Sequence, residues 1–159
     1  MKTKNTIKAL ALGIIAAIVA MFLELSLLHL PQEKVSIFSD SLEVTLPFLI
    51  VAAIIEELLK LFFIFKAYKD LNDKNQIIGS SLALGAGFFI IEFLLRQSSF
   101  ESLFLMQFFG VLLVHLLTSL IAGTILFKKK TSSIPLFLQI MLVITVIHIA
   151  YNFLIYRFS

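Results

Sequence analysis

The sequence predicts an all-α, polytopic membrane protein with five membrane-spanning helices. Hydrophobic residues make up 60% of its 159 residues and charged residues 14%, whereas a soluble domain is roughly half apolar and a quarter charged. Its mean hydropathy is +1.03, and its apolar runs approach the roughly 20 residues that span a bilayer. A formal charge of +3 carried by so few groups excludes a basic nucleic-acid-binding protein. The chain also has too few charged groups and too many apolar ones to be disordered.

Charged or turn-forming residues bound each predicted span. The spans comprise residues 7–30, 46–65, 77–95, 103–127 and 134–156. Pro31 ends the first run, whereas Pro47 and Pro135 are predicted in the first turns of the second and fifth helices, where a missing N–H costs little. Because no shift in composition marks a boundary, residues 1–159 are predicted to form a single membrane domain.

Basic residues outside the spans alternate between clusters and single positions. Because cytoplasmic loops collect positive charge, this order predicts a cytoplasmic N-terminus, an external C-terminus and an odd number of spans. The clusters are Lys2, Lys4 and Lys8, then Lys66, Lys69 and Lys74, then Lys128, Lys129 and Lys130; the single residues are Lys34, Arg96 and Arg157.

A cleaved signal peptide is the alternative for residues 7–30, since a short basic stretch precedes them. The apolar core exceeds the usual length of roughly 7 to 15 residues and no small-residue cleavage motif follows, so we expect retention. Ala9, Gly13 and Ala17 recur every four residues, a spacing that suits close helix packing.

Ionisable and amide side chains lie inside the predicted spans, where each costs several kcal/mol unless it is paired or wetted. They include Glu24, Glu56, Glu57, Lys60, Glu92, His115, His148 and Asn152. Because helical positions four apart share a face, Glu56 and Lys60 are expected to pair, with Glu57 pointing about 100° away. Most of the group is predicted between the midplane and the outer surface, within reach of a pocket open to the outside.

Simpler interpretations exist for single members of this group. Glu56 and Lys60 would also serve as a neutralising pair, with Lys60 extending toward the inner surface. Glu57 would fit a helix–helix contact, and Glu24 is interpreted as interfacial. Convergence favours a site instead, because two carboxylates from different helices, two imidazoles and an amide supply a base, its orienting partners and an oxyanion donor. Hydrolysis of a peptide bond within the membrane fits these groups, and the sequence has no cysteine to act as a thiol nucleophile.

Four blocks of sequence, one in each of the second to fifth spans, carry a family resemblance. The blocks are residues 55–60 (IEELLK), 84–92 (LGAGFFIIE), His115 with Gly123, and 148–153 (HIAYNF). They resemble, in order, the blocks of the PrsW family, which is related to the CAAX-type glutamate-dependent intramembrane proteases and to bacteriocin-immunity proteins. The resemblance covers about residues 46–158.

This resemblance implies an intramembrane endopeptidase, multi-pass in a bacterial plasma membrane, with six site residues. Glu56 would be the general base that activates water, Glu57 would support it, and Asn152 would help hold the water or the oxyanion. The other three are Glu92, His115 and His148. The expected partners are the bilayer and a membrane-anchored substrate, such as an anti-sigma factor or a lipid-modified protein, cut near the outer leaflet. No cofactor is expected.

Three alternatives remain open at this point. Two histidines and two glutamates could supply a zinc site of the His₂Glu type, which would make hydrolysis zinc-dependent. A non-catalytic scaffold, such as a bacteriocin-immunity protein, would keep the polar core for helix packing alone. A proton-coupled transporter is disfavoured because five spans show no two-fold repeat.

Overall fold

In a computed structural model, the chain is all-helical over the residues that are described, 2–28, 41–68, 73–96, 104–129 and 133–158. The helices are α1 (Lys2–Leu28), α2 (Ser41–Tyr68), α3 (Lys74–Arg96), α4 (Phe104–Lys129) and α5 (Ile134–Phe158). No strand occurs within these ranges, so the predicted fold class is confirmed as all-α. Each predicted span lies on its own helix, and residues 29, 30, 34, 69, 103 and 130 fall outside the described part of the chain.

Four of the five helices are long and apolar enough to cross a membrane. These stretches are Lys4–Leu27, Lys74–Leu95, Phe108–Lys129 and Ile134–Ile155. α2 is also long, at 28 residues, but Glu56, Glu57 and Lys60 interrupt its apolar sequence. The chain is therefore a multi-pass membrane protein in which α2 differs from the other four helices in carrying charged residues within its apolar sequence.

The proline in α2 lies deeper in the helix than the sequence suggests. α2 begins at Ser41, so Pro47 is inside the helix rather than in its first turn. The apolar run marks only the hydrophobic part of α2, and the helix continues beyond it at both ends. Pro135 is the second residue of α5, which confirms its predicted position at a helix start.

α2 lies at the centre of the bundle. It contacts all four other helices, which follow one another around it in the order α1, α3, α4, α5. Within the described ranges α1 and α5 do not touch, and α2 stays exposed along one stripe. The stripe consists of Val51, Ile54, Leu58 and Phe62. Glu56, Glu57 and Lys60 lie off this stripe and are buried among the other helices.

Small residues set the close approach of α1 to α3. A Cβ added at Gly13 would collide with the backbone of Leu84, and one added at Gly87 would collide with the backbone of Leu10. Ala17, one turn beyond Gly13, is buried in the same contact region. The predicted packing face of the first helix is thus confirmed, and α3 contributes a matching glycine.

A second close approach brings α4 beside α3 at His115. A Cβ on Gly85 would lie 2.5 Å from the backbone oxygen of His115 and 2.8 Å from Ser119 Oγ. Further along, a Cβ on Gly123 would lie 2.8 Å from Ser81 Cβ and closer still to Ser81 Oγ. These contacts leave no room for larger side chains, so they fix the depth at which the imidazole of His115 enters the bundle.

Apolar side chains fill one half of the bundle. Beyond Lys60 along α2, Leu61 and Ile64 pack with Leu126 of α4 and with Ile140 and Ile144 of α5. This apolar cluster lies on the side of the lysine-rich ends of α2 and α4. The polar side chains meet in the other half, and the apolar cluster separates them from the lysine-rich end.

Candidate active site

The ammonium group of Lys60 is the centre of a buried polar network. Lys60 is 0% exposed, and its Nζ donates to Glu57 Oε1 at 2.5 Å, His115 Nδ1 at 2.9 Å and Thr118 Oγ1 at 3.0 Å. It also lies 5.1 Å from the centroid of the Phe88 ring, a cation–π contact. All three ammonium protons therefore have acceptors.

The pairing of Lys60 corrects two predictions. Its partner is Glu57, three positions earlier, and not Glu56, four positions earlier. Both spacings place side chains within reach on a helix, and the choice follows from α4 and α5, which present further partners on the Glu57 side. Since Lys60 is fully buried, the expectation that it extends toward the inner surface is also wrong.

Glu57 joins three helices through one carboxylate oxygen. Its Oε1 accepts hydrogen bonds from Lys60, from the Thr118 hydroxyl at 3.2 Å and from His148 Nδ1 at 2.6 Å. Glu57 is 0% exposed. We call Glu57, Lys60, Thr118, His115 and His148 the ion-paired cluster. Its members come from α2, α4 and α5, so it holds these helices together as well as positioning the imidazoles.

Hydrogen bonding fixes the two histidines in opposite tautomers. Because an ammonium group only donates, His115 Nδ1 accepts from Lys60 and its Nε2–H donates to Glu92 Oε2. His148 donates through Nδ1–H to Glu57, and its Nε2 lies 3.6 Å from Glu56 Oε2. In the neutral form of His148 this Nε2 carries a lone pair. The rings stand edge to face with centroids 5.3 Å apart. In their neutral forms, His115 therefore presents an N–H at Nε2 and His148 presents a lone pair at Nε2.

A cavity of about 200 Å³ lies against this cluster, between α1, α2 and α3. Three glutamates, Glu24, Glu56 and Glu92, line it and form what we call the acidic wall. The other lining residues are Ala17, Ala20, Met21, Phe88, Ile91 and Leu95. Glu56 is 8% exposed, and its buried Oε2 has no hydrogen bond with any described residue. Glu56 thus reaches both the cavity and the two imidazoles.

Five of the six predicted site residues meet here. Glu56, Glu57, Glu92, His115 and His148 lie in this cluster or on the adjoining acidic wall. Asn152 is half-buried on α5, one turn beyond His148, and the hydrogen bonds among the described side chains do not include it. The catalytic roles of all six stay predictions.

Sequence reasoning missed two residues of this region. Thr118 was not selected, although it follows His115 by three positions and so shares its helix face. Glu24 was interpreted only as interfacial, and its place in the cavity lining with Glu56 and Glu92 was not predicted. It lies seven positions after Ala17, so the small-residue face of α1 extends two turns further and ends at this carboxylate.

Three of these residues could also hold a metal ion. Glu56, His115 and His148 each present a ligand atom, and the three atoms lie within 4.8 Å of one another. The 3.6 Å between His148 Nε2 and Glu56 Oε2 is long for a hydrogen bond, but it is close to the roughly 3.4 Å that separates two ligands of a tetrahedral zinc ion. His148 is also held by Glu57 through its other nitrogen, as metal-bound histidines usually are.

His115 fits a metal ion only after an exchange. Both of its nitrogens are engaged, Nδ1 by Lys60 and Nε2 by Glu92. A metal ion would have to replace the hydrogen bond from Nε2 to Glu92. Glu56 and His148 are therefore arranged as ligands already, whereas His115 becomes one by changing its partner.

Comparison with known proteins decides the family. A family model described as PrsW family intramembrane metalloprotease matches residues 2–158. The chain belongs to the PrsW family. Neither a search of curated proteins nor a search of solved structures gives a match.

Membership in the PrsW family establishes the general activity and setting. The chain is an intramembrane protease, a hydrolase of the membrane whose substrate is a membrane-associated protein. Because the family description names a metalloprotease and a Glu–His–His group is present, the expectation that no cofactor is needed has no support here.

Proposed function

We propose that this PrsW family member is a glutamate-dependent endopeptidase in which Glu56 activates the attacking water. The observation that carries the proposal is the contrast between two adjacent glutamates. Glu57 accepts three hydrogen bonds on Oε1 and is not part of the cavity lining. Glu56 lines the cavity, and its Oε2 has no hydrogen bond to a described residue. A carboxylate with unused acceptor capacity beside a cavity is suited to hold a water molecule and take its proton.

In the proposed reaction, Glu56 accepts a proton from water as the water oxygen bonds to the carbonyl carbon of the substrate. The carbonyl electron pair moves to its oxygen. The donors for this oxyanion are the Asn152 amide and His115 Nε2–H, which exchanges its hydrogen bond to Glu92 for one to the oxyanion. Glu56 then gives its proton to the leaving nitrogen as the C–N bond breaks. His148 Nε2 faces Glu56 throughout, and Glu57 acts as a positioning residue by holding His148 Nδ1.

A comparison of wild type with Glu56→Gln tests the role of Glu56. We expect cleavage to fall on the order of 100-fold or more, the range for a lost general base, with an unchanged melting temperature. Because the substrate is unidentified, new protein N-termini are compared by mass spectrometry in membranes of cells expressing each variant. Asp73→Asn, which removes a carboxylate outside the cavity, is the control. Equal N-terminal products from Glu56→Gln and wild type would refute the assignment.

Metal-dependent hydrolysis is the second candidate, favoured by the Glu56, His115 and His148 group and by the family description. A bound divalent ion would polarise the substrate carbonyl and make water more acidic. Glu56 would then be a ligand, and Glu92, which lines the same cavity, would be the carboxylate left to accept a proton. Elemental analysis separates the candidates, because Glu56→Gln lowers the metal content only if Glu56 is a ligand. Metal-free protein with chelator-resistant cleavage would remove this candidate.

For the topology, we propose that residues 1–159 form one membrane domain in which α2 is a fifth span, stabilised by its partners. The N-terminus is cytoplasmic, and the site opens toward the outer leaflet, where a membrane-anchored substrate such as an anti-sigma-factor-like or lipid-modified protein is cut. The lysine-rich ends of α2 and α4 support this orientation.

Single-cysteine labelling tests the orientation cleanly because the sequence has no native cysteine. We expect an impermeant thiol reagent to label Ser99→Cys in intact cells and Asp73→Cys only after permeabilisation. The reverse pattern would invert the proposed topology.

A further inference from the structure

The cavity has an acidic wall on three different helices. Glu24 comes from α1, Glu56 from α2 and Glu92 from α3, and none of the described residues that line the cavity is basic. Glu56 adds an independent sign of a ligand site, since its side chain is nine-tenths buried and its Oε2 has no hydrogen bond with a described residue. The proposed base and its neighbour on α3 account for two of the three carboxylates. The proposed hydrolysis leaves Glu24 without a role.

The size of the cavity indicates how far Glu24 lies from the peptide bond that would be cleaved. A sphere of about 200 Å³ has a diameter of roughly 7 Å, the length of about two residues of extended chain. A peptide bond that reaches Glu56 through this cavity therefore places a neighbouring side chain beside Glu24. Ala17 and Ala20, on the same face of α1, line the cavity too, and their small side chains leave room for a long one from the substrate.

We propose that Glu24 is a specificity-determining residue that binds a basic side chain of the substrate within one or two residues of the cleaved bond. This inference rests on the proposed protease function. A carboxylate in a partly buried cavity forms short, charge-assisted hydrogen bonds with an ammonium or guanidinium group. The same negative wall disfavours an acidic side chain at that position, because like charges brought together in such a site repel strongly.

Matched single-span peptides in phosphatidylcholine liposomes test the proposal. The two peptides of a pair differ only at one position, which is Lys in one and norleucine in the other. Norleucine has a similar aliphatic stem without the charge. A separate pair is made for each position that flanks the cleaved bond. For wild type we expect kcat/KM to favour Lys by about 10-fold at one position, the size of one modest charge-assisted contact. Glu24→Gln should bring this ratio to within about twofold, and Glu24→Lys should instead favour a peptide with Glu there.

Asp73→Asn is the control, since it removes one carboxylate outside the cavity and should keep the preference of wild type. A melting curve for each variant shows that the bundle is folded. A Lys-to-norleucine ratio near one for wild type at every position would overturn the proposal. So would a preference that survives Glu24→Gln, or a loss of bound metal in Glu24→Gln with unchanged selectivity.

Photo-crosslinking separates this inference from the proposed protease function. A peptide with a photoreactive group beside its Lys should crosslink to α1 near Met21, and the crosslink should disappear in Glu24→Gln. Crosslinking that depends on Lys, without cleavage, would support the basic subsite and contradict the protease. Cleavage without Lys-dependent crosslinking would support the protease and contradict the subsite.

Discussion

The ion-paired cluster and the acidic wall meet at two consecutive residues, yet they are built in opposite ways. Glu57 is surrounded by donors from α2, α4 and α5, whereas Glu56 faces a cavity bounded by α1 and α3. Consecutive helical residues point about 100° apart, so a central helix sends them to different neighbours. The two glutamates thus differ: Glu57 connects three helices, and Glu56 faces the cavity.

The largest effect is expected from removing the cation of the ion-paired cluster. Lys60→Met leaves Glu57 buried without its cation, and we expect the free energy of unfolding in detergent to fall by about 3 to 5 kcal/mol. The control is Lys66→Met, at an exposed position near the end of α2, which should change little. The double variant Lys60→Met/Glu57→Gln should recover part of the loss. Equal stability of the two lysine variants would contradict the role given to Lys60.

A smaller effect is expected from separating the helices that bound the cavity. Gly13→Ala forces α1 away from the Leu84 backbone, which should lower the free energy of unfolding by about 1 to 3 kcal/mol. The displacement should disturb the acidic wall more than the ion-paired cluster. Gly79→Ala is the matched control, because a Cβ there meets nothing within 4 Å. Since alanine has a higher helix propensity than glycine, this substitution should raise the free energy of unfolding by at most about 1 kcal/mol. Thermal unfolding of both variants measures the difference. A Gly13→Ala variant as stable as wild type would show that the contact between α1 and α3 is looser than described.

The smallest effect compares two buried threonines. Thr118 is 0% exposed and makes two hydrogen bonds, whereas Thr145 is 8% exposed and its hydroxyl has no hydrogen bond with a described residue. We expect Thr118→Val to lower the free energy of unfolding by about 1 kcal/mol and Thr145→Val to be neutral or stabilising. Chemical denaturation checks both. A larger loss for Thr145→Val would show that the hydroxyl of Thr118 adds little to the ion-paired cluster.

Hydropathy was sufficient to predict the helices but not their arrangement. Apolar runs locate all five, because a bilayer demands long apolar segments, and the true helices extend past them, as at Ser41 and Tyr68. The central place of α2 could not be predicted, since amphipathic signals are weak when most residues are apolar. Its charged residues did signal an interior position.

The composition of the site was easier to predict than its contacts. Glu56, Glu92, His115 and His148 stood out because ionisable groups are rare in lipid. Sequence spacing alone could not decide whether Lys60 pairs three or four positions back, since both are allowed on a helix. The place of Glu24 in the cavity could not be predicted, because the glutamates beside it in the lining belong to α2 and α3.

Residues of the ion-paired cluster lie far apart in sequence, so they are synthesised at different times. The partners of Lys60 on α4 follow it by 55 and 58 residues, and His148 follows Glu57 by 91 residues. At bacterial and eukaryotic rates of translation, 91 residues take roughly 5 to 20 s to synthesise. Until α4 and α5 are made, the Glu57–Lys60 pair within α2 lacks its partners on those helices. The central helix thus gains its full set of partners only after α5, the most distant of them in sequence, has been made.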